Sequence, residues 1–452
     1  MKKTQSIPAC SKDLSVPFQI GEVNKRSENG HIEVKIITHY DDFEALEHEW
    51  NELAWETDSH IFQTHEWNRI WWKYFGTNKK LHIVAVYRGK KLAGLAPLFE
   101  DDVTLLGHNV YSCLRFLGSY VSQPEGEPLT GSIPYSDYLD FIIRPGHEQL
   151  FYPLVLQHFN DISSIIDEII LDEVSVESGT STTMISLLEE SNYRLTYKKN
   201  KASSIPIILL DSTWEAYLNS MNVKDRYNAR RYYSRSKQGD SKAFKIEKIE
   251  HSEELSCVLT DLIRMHQKQW NSRGFSGTFS EKRMRNFFID IAESFFERGW
   301  IEFNMAVPEE GNAKYAAVDV FMTYKKRVYL MHRGMNDDSL YRKQGPGNVL
   351  LYRKLHEAIE DGVKVFDMFR GSEEFKLRLA TKINQNITLI LHSGFMTGRM
   401  LPSLVKIYIK MIRQIRGEIS HFKLVCNDKP IFMGITEYIQ FLIRRIKYRF
   451  DN

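Results

Sequence analysis

From residue 32 onward the chain alternates between short runs of period two and longer runs of helical period, and these two periods mark out its elements. Residues 33–38 read as a strand. Residues 40–55 read as a helix with Phe43, Leu46, Trp50 and Leu53 on one face, and 65–75 as a second helix carrying Trp67, Ile70, Trp71, Trp72 and Phe75. Strands follow at 81–87 and 91–98, then a long loop, a strand at 137–143, a helix at 148–159, a strand at 168–172, a helix at 182–190 and a strand at 193–197. The same order then returns: a strand at 245–249, helices at 253–270 and 281–298, strands at 300–306, 316–324 and 327–334, a helix at 348–361, a strand at 363–369, a short helix at 373–379 and a strand at 387–391. Each half reads β-α-α-β-β-β-α-β-α-β. Antiparallel-type strands followed by a helical crossover predict an α+β fold, each half a mixed, mostly antiparallel sheet flanked by helices. The divisions expected are an aperiodic, disordered segment 1–31, a first half 32–205, a second half 206–395 and a helical tail 396–452.

Composition changes this picture little. With 42% hydrophobic and 26% charged residues the chain is an ordinary globular one, and 452 residues suffice for two domains. No run of about 18 apolar residues predicts a membrane span, and the N-terminus lacks the apolar core of an export signal. Cys10, Cys113, Cys257 and Cys426 stand far apart, which argues against a metal site and a disulfide framework and fits a reducing cytoplasm. The net charge of +2 hides an asymmetry, because residues 396–452 hold eleven Lys/Arg against four Asp/Glu. That tail pairs apolar and basic positions, as in Leu404, Ile407 and Ile409 beside Lys406, Lys410 and Arg413. It reads either as a helix lying on an anionic membrane or as a cap docked on the second half.

The stretch Arg342-Lys343-Gln344-Gly345-Pro346-Gly347 lies between a strand and a helix. Glycines there let backbone N–H groups converge, and a helix N-terminus adds partial positive charge, so the turn suits a diphosphate. A plain turn with proline at the first helical position is the other reading. Arg342, Lys343, Gln344, Gly345, Gly347 and Asn348 are the candidate cofactor-binding residues. Three ionisable residues near this turn are candidate general bases: Asp319 within an apolar strand, His332 on the next strand, and Asp367 at a strand's C-terminal end. Each also has a structural reading, as an ion-paired acid, a core histidine or a helix cap. Between the halves, Lys224, Arg226, Arg230, Arg231, Arg235 and Lys237 recur at helical spacing with Asp225 as the lone acid. Like charges so placed repel, and an anionic ligand would relieve them; a solvated basic helix is the alternative. Arg226, Arg230 and Arg231 are taken as acceptor-binding, with His266, Trp270 and Arg273 on one helical stripe and Glu373 and Lys376 three apart.

The ordered set of Trp50-x2-Leu53, Phe62-Gln63-Thr64-x2-Trp67, Gly94-Leu95-Ala96-Pro97-Leu98, Trp214-x2-Tyr217-Leu218, His266-x3-Trp270-x2-Arg273-Gly274, Gly345-Pro346-Gly347 and Phe366-Asp367-x3-Gly371-x-Glu373-x2-Lys376 resembles the GNAT-superfamily acetyltransferases of the CelD/BcsL type, associated with exopolysaccharide synthesis. These are similar in turn to the Fem-type aminoacyltransferases of peptidoglycan, which carry two GNAT-like halves. Arg370 departs from the pattern, which leads one to expect a neutral residue there. The resemblance implies acetyl-CoA as co-substrate, no metal, and transfer to an amino or hydroxyl group of a sugar or glycan precursor by a cytoplasmic enzyme. It implies a second half that binds the cofactor, since the first half's equivalent turn, Arg144-Pro145-Gly146-His147, lacks paired glycines. Two alternatives stand beside it: aminoacyl transfer from charged tRNA, using the basic helix, and a membrane-associated accessory protein that keeps the fold without the chemistry. Nucleic acid is the less favoured partner.

Overall fold

A computed structural model describes residues 30–393, apart from 106–107, 120–135, 192, 212, 238–243, 276, 310, 312 and 372. The N-terminal segment up to residue 29 and the tail 396–452 lie outside the described residues. In the first half the elements are β1 (Ile32–Ile37), α1 (Tyr40–Ala45), α2 (Glu47–Glu56), α3 (His65–Phe75), β2 (Lys80–Leu81), β3 (Ile83–Arg88), β4 (Lys91–Ala96), β5 (Leu98–Leu105), β6 (His108–Phe116), β7 (Ile142–Ile143), α4 (Glu148–Asp161), β8 (Glu168–Ser175), α5 (Thr183–Glu190) and β9 (Leu195–Leu209). Then come α6 (Trp214–Ser220), α7 (Val223–Ser236), β10 (Phe244–Lys248), α8 (Leu255–Ser272), α9 (Lys282–Glu297), β11 (Ile301–Pro308), β12 (Ala317–Tyr324), β13 (Arg327–Met335), α10 (Ser339–Arg342), α11 (Pro346–Glu360), β14 (Val365–Asp367), α12 (Glu374–Leu379) and β15 (Lys382–Ser393).

The strands form two sheets. One has the order β1-β3-β4-β7, and the other runs β10-β11-β12-β13-β14-β9-β15-β8-β6-β5-β2 through both halves. Most pairs are antiparallel. The exceptions are β13 with β14 and β6 with β8, each joined by a helical crossover. The last strand, β15, is inserted between β9 and β8, so it pairs with two strands of the first half. β9 itself borders β14 on its other side. The sheet is thus continuous across position 205/206, and the two halves share backbone hydrogen bonds.

Several elements differ from the pattern reading. The long loop expected after residue 98 contains the hairpin β5–β6. Glu100, Asp101 and Asp102 broke the apolar pattern there, yet they are paired across the fold: Asp101 with Lys79 and Arg115, Glu100 with His82, and both Glu100 and Asp102 with Lys80. The strand expected at 137–143 is reduced to Ile142–Ile143, and 363–369 to Val365–Asp367. The helix expected from residue 348 starts at Pro346, whose fixed φ suits a first helical position. Trp67 and Trp71 are fully buried, packing against Phe287 and Phe99.

Candidate active site

β13 and β14 run side by side for only three residue pairs, Arg327–Val365, Val328–Phe366 and Tyr329–Asp367. Beyond Tyr329 the two strands part. A cavity of about 740 Å³ opens there, lined from β13 by Leu330, Met331, His332, Arg333 and Met335. Consecutive strand residues normally face opposite sides. A register shift against β12, where Val320 faces His332 but Phe321 faces Leu330, breaks the alternation and re-aims this stretch.

The glycine turn closes one end of the cavity. Gly345 holds a left-handed conformation (φ 66°, ψ 51°) as the N-cap of α11. Its carbonyl accepts from Asn348 and Val349 N–H at 3.0 and 3.1 Å. A Cβ at Gly345 would sit 2.8 Å from the Tyr232 ring. A Cβ at Gly347 would meet the Arg333 guanidinium and the Met335 sulfur, each at 3.2 Å. Arg342, Gly345, Gly347 and Asn348 line the cavity, while Lys343 and Gln344 do not. The Gln344 carbonyl instead accepts from Arg235 at 3.0 Å, tying α7 to the turn.

Of the three candidate bases only His332 lines the cavity. It is packed among Phe279, Phe288 and His266, with ring centroids 4.8, 4.8 and 5.6 Å away. Burial, with the His266 and Lys376 charges added, lowers its pKa well below the ordinary value. It is therefore a neutral imidazole at pH 7, which corrects the expectation that it titrates near neutrality. Asp319 is fully buried behind the cavity wall and takes two hydrogen bonds from Arg333, at 2.7 and 2.6 Å. Burial raises its pKa and the guanidinium opposes the rise. Asp367 accepts from the Tyr138 hydroxyl at 2.7 Å and from Phe369 N–H at 2.9 Å, and meets Arg327 at 3.4 Å. Burial pushes it up to about 6. Neither acid lines the cavity, so the ion-paired reading describes Asp319, and Asp367 fixes the turn that follows β14.

The expected acceptor residues divide sharply. His266, Trp270, Arg273, Glu373 and Lys376 all line the cavity. The Trp270 indole N–H donates to His266 Nε2 at 3.0 Å, so the His266 proton resides on Nδ1. Burial lowers the His266 pKa to about 4. The Arg273 guanidinium stacks 5.5 Å from the Trp270 ring. Lys376 Nζ donates to the Arg370 carbonyl at 3.0 Å and pairs with Glu373 at 3.2 Å. By contrast Arg226, Arg230 and Arg231 lie off the cavity. Arg226 donates to the carbonyls of Leu218, Asn219 and Met221 at the end of α6, at 2.9, 3.3 and 3.1 Å. Arg230 pairs with Glu215 at 3.1 Å, and Arg231 lies over the Tyr232 ring at 4.6 Å. Each of these three arginines thus has a partner within the protein.

Sequence reasoning missed Tyr232, Arg333, Phe369, Arg370 and Phe375, all of which line the cavity. A polar residue across from Asp319 was the one available signal for Arg333. Among the described residues no cluster of three His, Cys, Asp or Glu is placed to hold a metal, and no helix is long and apolar enough to cross a membrane.

A sheet whose parallel neighbours splay over a cavity, with a glycine-rich helix start at its edge, defines a GNAT-type acyltransferase fold. Residues 223–377, which carry α7 to the first residues of α12 and every lining residue, match the family of the acetyltransferase (GNAT) domain. The second half is thus an acyltransferase domain of that type, and the chain falls in the enzyme class of acyltransferases. Its architecture is similar to the crystal structure of FemX, with a TM-score of 0.56 and 13% identity, over 83% of this chain and 100% of that one. Looser superpositions are with L-PGS from Bacillus licheniformis (TM-score 0.44, 13% identity, 83% and 97% covered) and a tandem GNAT protein from the clavulanic acid biosynthesis pathway (TM-score 0.41, 10% identity, 79% and 98% covered). No curated protein sequence matches the chain.

Proposed function

We propose that the chain transfers an acyl group, in the first instance acetyl, from coenzyme A to an amino or hydroxyl group of a sugar or glycan precursor. The observation that carries this reading is the meeting of two features at one cavity: the splay beyond Tyr329 and the left-handed Gly345 that opens α11. In this reading Arg342 and the turn's N–H donors face the diphosphate. The thioester lies along β13, whose edge beyond Tyr329 has lost β14 as a neighbour and is available to the thioester oxygen and to the charge that develops on it. The acceptor enters beside Trp270, Phe369 and Phe375, whose rings suit the apolar face of a sugar. Attack by the acceptor's lone pair on the thioester carbon forms the new bond as the C–S bond breaks. The acceptor's proton leaves through His332, the one candidate base facing the cavity. The neutral imidazole is in the protonation state to take it and hand it to the departing coenzyme A thiolate, and its lowered pKa makes it a weak base for the first of these transfers.

The link to exopolysaccharide synthesis of the CelD/BcsL kind rests on the ordered sequence motifs alone, and a peripheral place at an anionic membrane on the apolar and basic positions of the tail. A Fem-type aminoacyl transfer is the second reading, favoured by the similarity to FemX in fold. The internal partners of Arg226, Arg230 and Arg231 weigh against it, because they leave fewer cations for tRNA. Calorimetry with acetyl-CoA, beside filter binding with total tRNA at physiological salt, separates the two. Micromolar acetyl-CoA binding with weak tRNA binding is the expected result; tight tRNA binding without acetyl-CoA binding would overturn the proposal.

A further inference from the structure

Arg370, the residue that departs from the expected pattern, lies where the two halves meet. Its side chain leaves the cavity wall and enters the first half. There Nη2 donates to the Ser136 carbonyl at 2.8 Å and meets the Asp137 carboxylate, and Nη1 donates to Glu173 at 3.3 Å. Asp137 and Glu173 are both buried. Glu173 is itself held by the Ser203 hydroxyl and by Asn386 Nδ2 at 3.1 Å.

The backbone around this group is unusual. Two register shifts in β15, between Ile387 and Leu389 against β8 and between Gln385 and Ile387 against β9, bring Glu173, Ser203 and Asn386 together. Five non-glycine residues among those described have positive φ, and three of them adjoin Arg370 or its partners: Tyr138 at 56°, Glu173 at 57° and Phe369 at 57°. Such conformations cost free energy and persist only where surrounding contacts enforce them. Bulges likewise re-aim side chains beside functional sites. Gly371, at φ 142°, completes the turn, and a Cβ there would lie 2.8 Å from Lys376 Nζ. The wall that this turn sets in place carries Phe369, Glu373, Phe375 and Lys376 into the cavity.

We propose that Arg370 is a positioning residue, and that the first half, through Asp137 and Glu173, holds the acceptor-side wall of the second half's active site. This rests on the acyl-transfer reading of the cavity. It gives the first half, which has no paired-glycine turn, a share in catalysis without a ligand of its own.

Hydrogen exchange tests the anchoring directly. In Arg370→Met the amides of residues 369–371 and 373–376 should exchange at least about tenfold faster, while those of α11 keep their wild-type rates. Acetyl transfer to glucosamine, used as the acceptor probe, should lose about 100-fold in kcat, the scale expected when a reacting group is displaced by an ångström, with the acetyl-CoA Kd unchanged. Arg370→Lys should recover part of that loss. Since Arg370→Met leaves two buried carboxylates unpaired and can fail to fold, a second variant combines it with Asp137→Asn and Glu173→Gln. That variant carries no buried charge at the junction, so it should melt close to wild type and still show fast wall exchange and low kcat. Wild-type exchange and wild-type kcat in this neutral variant would overturn the proposal. If the wild-type protein does not bind acetyl-CoA, the donor reading fails, and the exchange measurement still decides whether Arg370 anchors the wall.

Discussion

Arg333 joins Asp319 to the glycine turn. Its Nε and one Nη donate to the two carboxylate oxygens at 2.7 and 2.6 Å, and the same Nη donates to the Gly347 carbonyl at 2.8 Å. The acid on β12 therefore orients a guanidinium on β13, which in turn positions the first turn of α11. This gives the buried Asp319 a structural role that needs no proton transfer.

Asp319→Asn should accordingly destabilise the protein by about 3 kcal/mol, the lower end of the range for removing one partner of a buried pair, since Arg333 keeps some exposure. Acetyl-CoA affinity should fall with it, because the Gly347 carbonyl loses its fixed donor. Urea denaturation and calorimetry measure the two effects. A variant with wild-type stability would show that the pair does not hold the turn.

Gly347→Asp should weaken acetyl-CoA binding more than tenfold. The new Cβ meets Arg333 and Met335 at 3.2 Å, and its carboxylate competes with Asp319 for the guanidinium while repelling a phosphate. Gly347→Ala shares the crowding without the charge and should lose less. Equal affinities for wild type and Gly347→Asp would remove the turn from the cofactor site.

Arg226 and Arg230 should differ in kind. Arg226→Ala removes donors from three carbonyls that end α6 and should cost about 1–3 kcal/mol. Arg230→Ala breaks one exposed ion pair and should cost well under about 1 kcal/mol. Chemical denaturation of the two variants side by side checks this. Equal losses would contradict the capping role of Arg226.

His266 should make the protein acid-sensitive. Its folded pKa, about 4, lies below the ordinary imidazole value of 6.5, because burial disfavours the charged ring. As pH falls below 6.5 the unfolded chain takes up the proton first. The stabilisation present above 6.5 is therefore lost progressively down to about 4, at up to about 1.4 kcal/mol per pH unit. The stability gap between wild type and His266→Gln should shrink by about 3 kcal/mol across that window, measured by urea denaturation at each pH. A gap independent of pH would mean that His266 is not held neutral.

The sequence by itself determined the elements whose signal is local. The period of the apolar residues defined the helices α3, α8 and α9 to within a few positions. Paired glycines with a proline between strand and helix marked the start of α11, because a left-handed N-cap and a fixed φ are properties of those residues. The stripe His266, Trp270, Arg273 was legible for the same reason, being one face of one helix. Tertiary structure decided the fates of the charges. Arg226, Arg230 and Arg231 looked alike along α7, yet carbonyls, a carboxylate and an aromatic ring claim them separately. Asp319 and His332, on neighbouring strands, fall on opposite faces of the sheet because Asp319 stands opposite Arg333 and His332 opposite Val320, a register that no local signal gives. The acids of β5 concealed a strand because the cations that pair with three of its consecutive positions come from elsewhere in the fold. The insertion of β15 between β9 and β8 had no local mark at all. Backbone hydrogen bonds are the same for every strand, so which strands become neighbours is set by the packing of the whole sheet, and with it the junction where Arg370 meets the first half.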